Sequence, residues 1–109
     1  MRRASVFMAG RFAGTLEEHS NSYVFSYSPE YLDRADAAAI SLTLPLSAEV
    51  YEDKRLFPFF DGLIPEGWLL DIAEQTWKID PRDRMGLLLA CCRDCIGAVS
   101  IVALEDEDE

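Results

Sequence analysis

Histidine is almost missing from this sequence of 109 residues, where His19 is the only one. Little is therefore left for the acid–base and metal chemistry in which imidazole leads. Cysteine is nearly as scarce, with three residues in one C-terminal cluster. An odd, clustered set does not make a disulfide framework and fits a reducing compartment. Positive charge is short as well: ten basic residues face twenty acidic ones, for a formal net charge of −10. The basic residues are scattered, whereas a direct nucleic-acid binder carries a basic patch or stripe. The deficit argues against nonspecific DNA or anionic-membrane binding, because phosphate neutralisation supplies most of that affinity. No apolar run approaches the roughly 20 residues of a membrane span. The opening MRRASVFMAG turns polar too soon for a secretory signal, so the expected location is the cytosol. No phosphate-cradling glycine loop, nucleophile elbow or kinase catalytic loop occurs.

What remains is a chain that is 50% hydrophobic, enough for one domain with a modest core. The stretch from Phe57 to Trp77, FPFFDGLIPEGWLLDIAEQTW, is its densest apolar and aromatic run. Pro58 suits the first position of a short helix, where its missing N–H costs nothing. Phe59, Phe60 and Leu63 then share a face, and Gly62 with Pro65 punctuates the turn. Pro65 restarts a helix, and Glu66 meets the positive end of its dipole. Leu69, Ile72, Ala73 and Thr76 form one stripe of that helix. Trp68 stands off the stripe, about 100° from its centre. Its indole is either presented outward, as interface tryptophans are, or claimed by the core of a small domain.

Before this stretch the period-two pattern predicts a meander. Ser5 to Ala9 reads as a strand, Gly10-Arg11 as a turn, and Arg11 to Leu16 as the return, with a bulge near Gly14. Tyr23, Phe25 and Tyr27 alternate as a half-buried strand. Ser28-Pro29 opens a short helix as cap and first residue. Ile40 to Leu46, ISLTLPL, reads as a strand at a sheet edge, because Pro45 removes a ladder donor. Ser47 to Arg55 reads as a polar loop. After Lys78, Asp80 and Pro81 are expected to start another helix with Met85, Leu88, Leu89 and Cys92 as its stripe. Ala98 to Leu104 is the last strand. The expected class is α+β: a small antiparallel sheet or partial barrel with a helical insertion before the last strand.

Chemistry-bearing groups are few. Cys92 and Cys95 have CxxC spacing, but a zinc site needs further ligands and His19 is distant in a predicted turn. A redox pair needs its first cysteine at a helix N-terminus, whereas these follow a predicted helix end. Asp61 and Glu66 flank a turn, as a carboxylate pair or as caps. Phe57, Phe59 and Phe60 read as core rather than as a ligand cage. The acidic ending from Glu105 to Glu109 is either a solvated tail or an arm for a basic partner surface.

Five segments in order resemble the N-terminal subdomain of HipA-type serine/threonine kinase toxins. They are the opening strand pair with Arg11 and Gly14-Thr15-Leu16, FSYSPEYL from Phe25 to Leu32, SLTLPL from Ser41 to Leu46, FFDGLIPE from Phe59 to Glu66, and RDCIGAV from Arg93 to Val99. No one of them is diagnostic, but together they cover nearly the whole chain. The resemblance implies one subdomain-like domain over residues 1–104 followed by an acidic tail at 105–109. In that family a much larger kinase core follows, and its nucleotide loop and catalytic aspartate have no counterpart here, so the activity does not carry over. The initial Met1 and the charged ending favour a natural small chain.

A freestanding subdomain of this kind is similar to the HipS antitoxins of HipBST toxin–antitoxin systems. That resemblance implies an antitoxin, not an enzyme, that binds and neutralises a HipT-like serine/threonine kinase. It also implies a HipB-like DNA-binding protein in a ternary complex. No cofactor or metal is implied. The expected partner-binding residues are Asp61, Ile64, Pro65, Glu66, Trp68 and Leu69. The alternatives are a structural subunit that completes a split kinase without inhibiting it, and a redox protein built on Cys92 and Cys95.

Overall fold

The computed structural model describes residues 2–64, 82–91 and 98–104. Its frame is an antiparallel sheet of five strands: β1 (Arg2–Met8), β2 (Arg11–Glu18), β3 (Tyr23–Tyr27), β4 (Tyr51–Asp53) and β5 (Val99–Leu104). Their spatial order is β4-β3-β2-β1-β5, so the last strand returns to lie beside the first. β1 and β5 pair from Arg3↔Leu104 to Met8↔Val99. Among the described residues, three short helices accompany the sheet: α1 (Pro29–Leu32), α2 (Pro58–Asp61) and α3 (Arg84–Cys91). The α+β class and the final-strand return agree with the sequence pattern.

Local chemistry explains the turns. Ala9 and Gly10 carry φ of 52° and 81°, and Met8 pairs with Arg11 around them. Positive φ at both central residues gives a two-residue hairpin whose twist suits the flanking strands. The turn thus centres one residue earlier than Gly10-Arg11. The expected bulge is present: Val6 pairs with Gly14 but Phe7 with Phe12, which leaves Ala13 unmatched in β2. The free carbonyl of Ala13 accepts the Ser28 N–H at 2.8 Å, just before α1. Gly14 is required by proximity, since a Cβ there would lie 2.2 Å from the Ser26 carbonyl oxygen. Ser28 and Pro29 open α1 as expected, although the Ser28 hydroxyl makes no capping bond.

The core lies on one sheet face. Ala4, Val6, Leu16, Phe25 and Ile101 are fully buried and meet Phe60 of α2 and Met85, Leu87 and Leu88 of α3. Phe60 joins the aromatic set, with its ring centroid 5.6 Å from Phe25 and 6.0 Å from Phe57.

Two strand assignments need correction. Ile40 to Leu46 is not a strand. The Leu44 N–H bonds to the Ser41 carbonyl at 3.1 Å, so Leu42 and Thr43 form a turn. Ile40 and Leu44 are buried, whereas Leu42 is 99% exposed. The even spacing of leucines thus mimics a strand while the buried pair is four apart. Conversely, Ser47 to Arg55 is not all loop, because β4 forms within it. Three residues with one apolar side chain are too few to show a period.

α3 also begins later than expected. Asp83, not Asp80, is its cap: its Oδ1 accepts the Gly86 N–H at 3.0 Å and its carbonyl accepts the Leu87 N–H. The buried stripe of α3 includes Leu87 besides Met85 and Leu88. Asp80, Pro81, Cys92 and the helix expected from Pro65 lie outside the described residues.

Candidate binding surface around the Asp61 turn

Aromatic packing positions the start of the candidate surface. Pro58 occupies the first position of α2. Phe60 has no exposed surface and pins the helix to Phe25, while Phe59 is half-buried at its side. The Leu63 N–H then bonds to Phe60 and the Ile64 N–H to Asp61, at 3.0 and 3.2 Å. Ile64 retains 3% of its surface. Its side chain therefore holds the turn from beneath, and a partner would not meet it directly. Asp61 stays half exposed, and its Oδ1 accepts a hydrogen bond from Arg84 Nε at 2.6 Å. That pair ties the end of α2 to the start of α3, on either side of residues 65–81. Pro65, Glu66, Trp68 and Leu69 lie outside the described residues. The structure thus gives positions for Asp61 and Ile64 alone of the six expected contacts.

An open cleft of about 510 Å³ lies beside this turn, lined by Tyr23, Lys54, Arg55, Leu56, Pro58, Asp61 and Arg84. Burial pushes the Tyr23 phenol up from its ordinary pKa, with Glu18 adding to the effect and Arg2 opposing it. The phenol therefore remains a protonated hydrogen-bond donor at neutral pH. Among the described lining residues, the one carboxylate is committed to an ion pair and the cations outnumber it. Such a set suits binding an acidic or polar surface rather than proton abstraction. Among the described residues, no group of three His, Cys, Asp or Glu side chains could hold a metal ion. His19 pairs with Glu17 at 2.9 Å in the turn between β2 and β3. No helix of the described residues is long and apolar enough to cross a membrane.

Glu18, paired with the cleft residue Tyr23 across the sheet, belongs to a cluster that single-residue patterns missed. Arg2 donates from Nε and Nη2 to both Glu18 oxygens, at 2.6 and 2.8 Å. It also donates from Nη1 and Nη2 to both Asp83 oxygens, at 3.0 and 2.7 Å. One guanidinium thereby joins β1, β2 and the cap of α3. Both carboxylates push the Arg2 pKa up from its ordinary value, Asp83 most strongly, against the opposing effect of burial. Arg2 in turn holds the Asp83 carboxyl below the usual carboxylate range, against the opposing effect of burial. Arg2 and Asp83 are 81 residues apart, so no local motif could pair them.

The family described as the HipA N-terminal domain matches residues 4–102. The chain belongs to the HipA N-terminal domain family. A solved structure titled "N-terminal domain of HipA toxin" superposes with a TM-score of 0.73 at 27% identity, covering 98% of this chain and 96% of that one. A protein of Haemophilus influenzae (strain Rd) with no assigned activity is 35% identical over 101 residues, covering 93% of this chain and 92% of the relative. A candidate kinase of Sinorhizobium fredii (strain NGR234) is 28% identical over 108 residues. The match takes in 98% of this chain but only 26% of that protein. What the HipA-family chain shares with these relatives is thus the N-terminal domain, not the catalytic domain of a kinase.

Proposed function

We propose that this chain is the antitoxin of a separately encoded HipA-type serine/threonine kinase toxin, a HipS-like protein that binds the kinase and neutralises it without being an enzyme. One observation carries the reading. The same unit makes up most of the Haemophilus protein, yet only about a quarter of the Sinorhizobium candidate kinase. A domain that rests on a kinase within one polypeptide keeps a complementary surface when it stands alone, and can then bind in trans. Such binding needs no chemistry from the domain itself.

The contact is assigned to residues 65–69, which follow in sequence on Phe60, Asp61 and Ile64. Trp68 is its anchor. A tryptophan buried in a partner's pocket contributes ~2–4 kcal/mol, or about 30- to 1,000-fold in affinity. Glu66 and Asp61 supply the polar rim. A net charge of −10 leaves DNA contact to another component, and a HipB-like protein in a ternary complex supplies it. The cytoplasm is the compartment this assembly requires. Residues 105–109 are all acidic.

The test is co-expression with a HipA-type kinase from the same genome. Wild-type chain should restore growth and co-purify with the kinase. Trp68→Ala should fold normally and weaken neutralisation at least 30-fold in titration. Neutralisation by the variant equal to wild type would remove the anchor role. A stable complex with toxicity kept or raised would instead make the chain a structural subunit. That second reading draws on the same observation, because a domain within a kinase polypeptide need not restrain it.

A further inference from the structure

The loop between α1 and β4 presents an apolar tip with an unusual combination of exposure and order. Residues 41–50 read SLTLPLSAEV, with Glu49 their one charged residue. Elsewhere the chain is rich in charge, at 28% overall. Leu42 is 99% exposed at the tip, Val50 62% and Leu46 39%. Solvated loops are usually polar, whereas the centres of protein interfaces are depleted of charge.

The loop is held by hydrogen bonds from three tyrosines. The Tyr27 hydroxyl accepts the Ile40 N–H at 3.1 Å and donates to the Leu44 carbonyl. The Tyr31 hydroxyl donates to the Ala38 carbonyl at 2.6 Å and accepts the Ala38 N–H at 3.1 Å. The Tyr51 hydroxyl donates to the Pro45 carbonyl at 2.6 Å. Ile40 and Leu44 are buried on either side of the tip. Leu42 is therefore pre-set outside the core, and little conformational entropy is left to lose on docking.

We infer that the Leu42 tip is a second docking point, seated in an apolar pocket on the body of the HipA-type kinase. This rests on the antitoxin reading above. The occupant follows from the Sinorhizobium relative, in which the matching unit shares a polypeptide with about three times its own length of other sequence. In such a chain the matching unit has a large neighbour to meet. The Leu42 contact adds affinity and register beside the Trp68 anchor, which carries neutralisation.

The experiment is titration calorimetry of purified kinase with wild-type chain, Leu42→Ala and Leu42→Asp, together with sedimentation of each chain alone. Both variants should keep the wild-type Tm, because Leu42 touches almost nothing within the fold. Leu42→Ala should bind about ten- to thirty-fold more weakly, as expected for losing one buried leucine side chain. Leu42→Asp should bind more weakly still. At saturating concentration Leu42→Ala should still silence the kinase. Equal binding by wild type and both variants would overturn the inference while leaving the antitoxin reading intact. Absence of wild-type binding would overturn both. A wild-type dimer that Leu42→Asp dissolves, with kinase binding unchanged, would reassign the loop to a second copy of this chain and overturn the kinase pocket.

Discussion

Asp83 combines two roles in one carboxyl group, and its variants separate them. Its Oδ1 caps α3 through the Gly86 N–H, while both oxygens receive Arg2. Asp83→Asn keeps an acceptor for the cap and removes the charge, so it should cost ~0.5–1 kcal/mol at pH 7, a modest figure because the side chain is about one-third exposed. Asp83→Ala loses the cap as well and should cost ~1–2 kcal/mol. The folded carboxyl is held below its ordinary value, chiefly by Arg2. A depressed carboxyl contributes stability that is complete above its unfolded pKa, ~4, and is lost as pH falls through the lower folded value. The gap between wild type and Asp83→Asn in urea denaturation should therefore hold from pH 7 to about 5 and close below ~4. A gap that widened on acidification would contradict the assignment. Ala9 offers a gain instead. Its φ of 52° is costly for alanine, and Ala9→Asn should raise stability by ~1 kcal/mol in the same assay.

At the scale of elements, α2 is four residues long and owes its place to packing rather than to helix propensity. Phe60 against Phe25 is the seat. Phe60→Ala should cost ~3–5 kcal/mol, a large share of the ~5–15 kcal/mol typical of a domain. Phe59→Ala, at a half-buried position, should cost less. Equal unfolding midpoints for the two variants would show that α2 is seated otherwise. The elements also show which signals a sequence carries. Tyr23, Phe25 and Tyr27 announce β3 because one face is buried and the other is not. Pro29 and Pro58 announce helix starts because φ and the missing N–H leave little choice. The segment from Ile40 to Leu46 misleads because tyrosine hydroxyls, distant in sequence, satisfy its backbone in place of a neighbouring strand. β4 is silent because it is short and is recruited by β3. At the candidate site, the buried Phe60 was legible from local pattern. The Arg2–Asp83 contact and the Arg84–Asp61 pair were not, since each joins segments far apart in sequence.

The whole molecule is a small acidic sheet domain of the HipA N-terminal family with an apolar loop held by tyrosine hydroxyls and an ion-paired turn at the end of α2. Neither surface carries the donor set of a catalyst among the described residues, and both suit contact with a larger protein. A net charge of −10 repels the phosphates of nucleic acid. On the antitoxin reading, this domain restrains a kinase encoded on another chain. Autophosphorylation of the purified HipA-type kinase, followed while wild-type chain is titrated in, tests that restraint. Activity should fall to background at one equivalent of bound chain. Activity unchanged or raised in a saturated complex would contradict it.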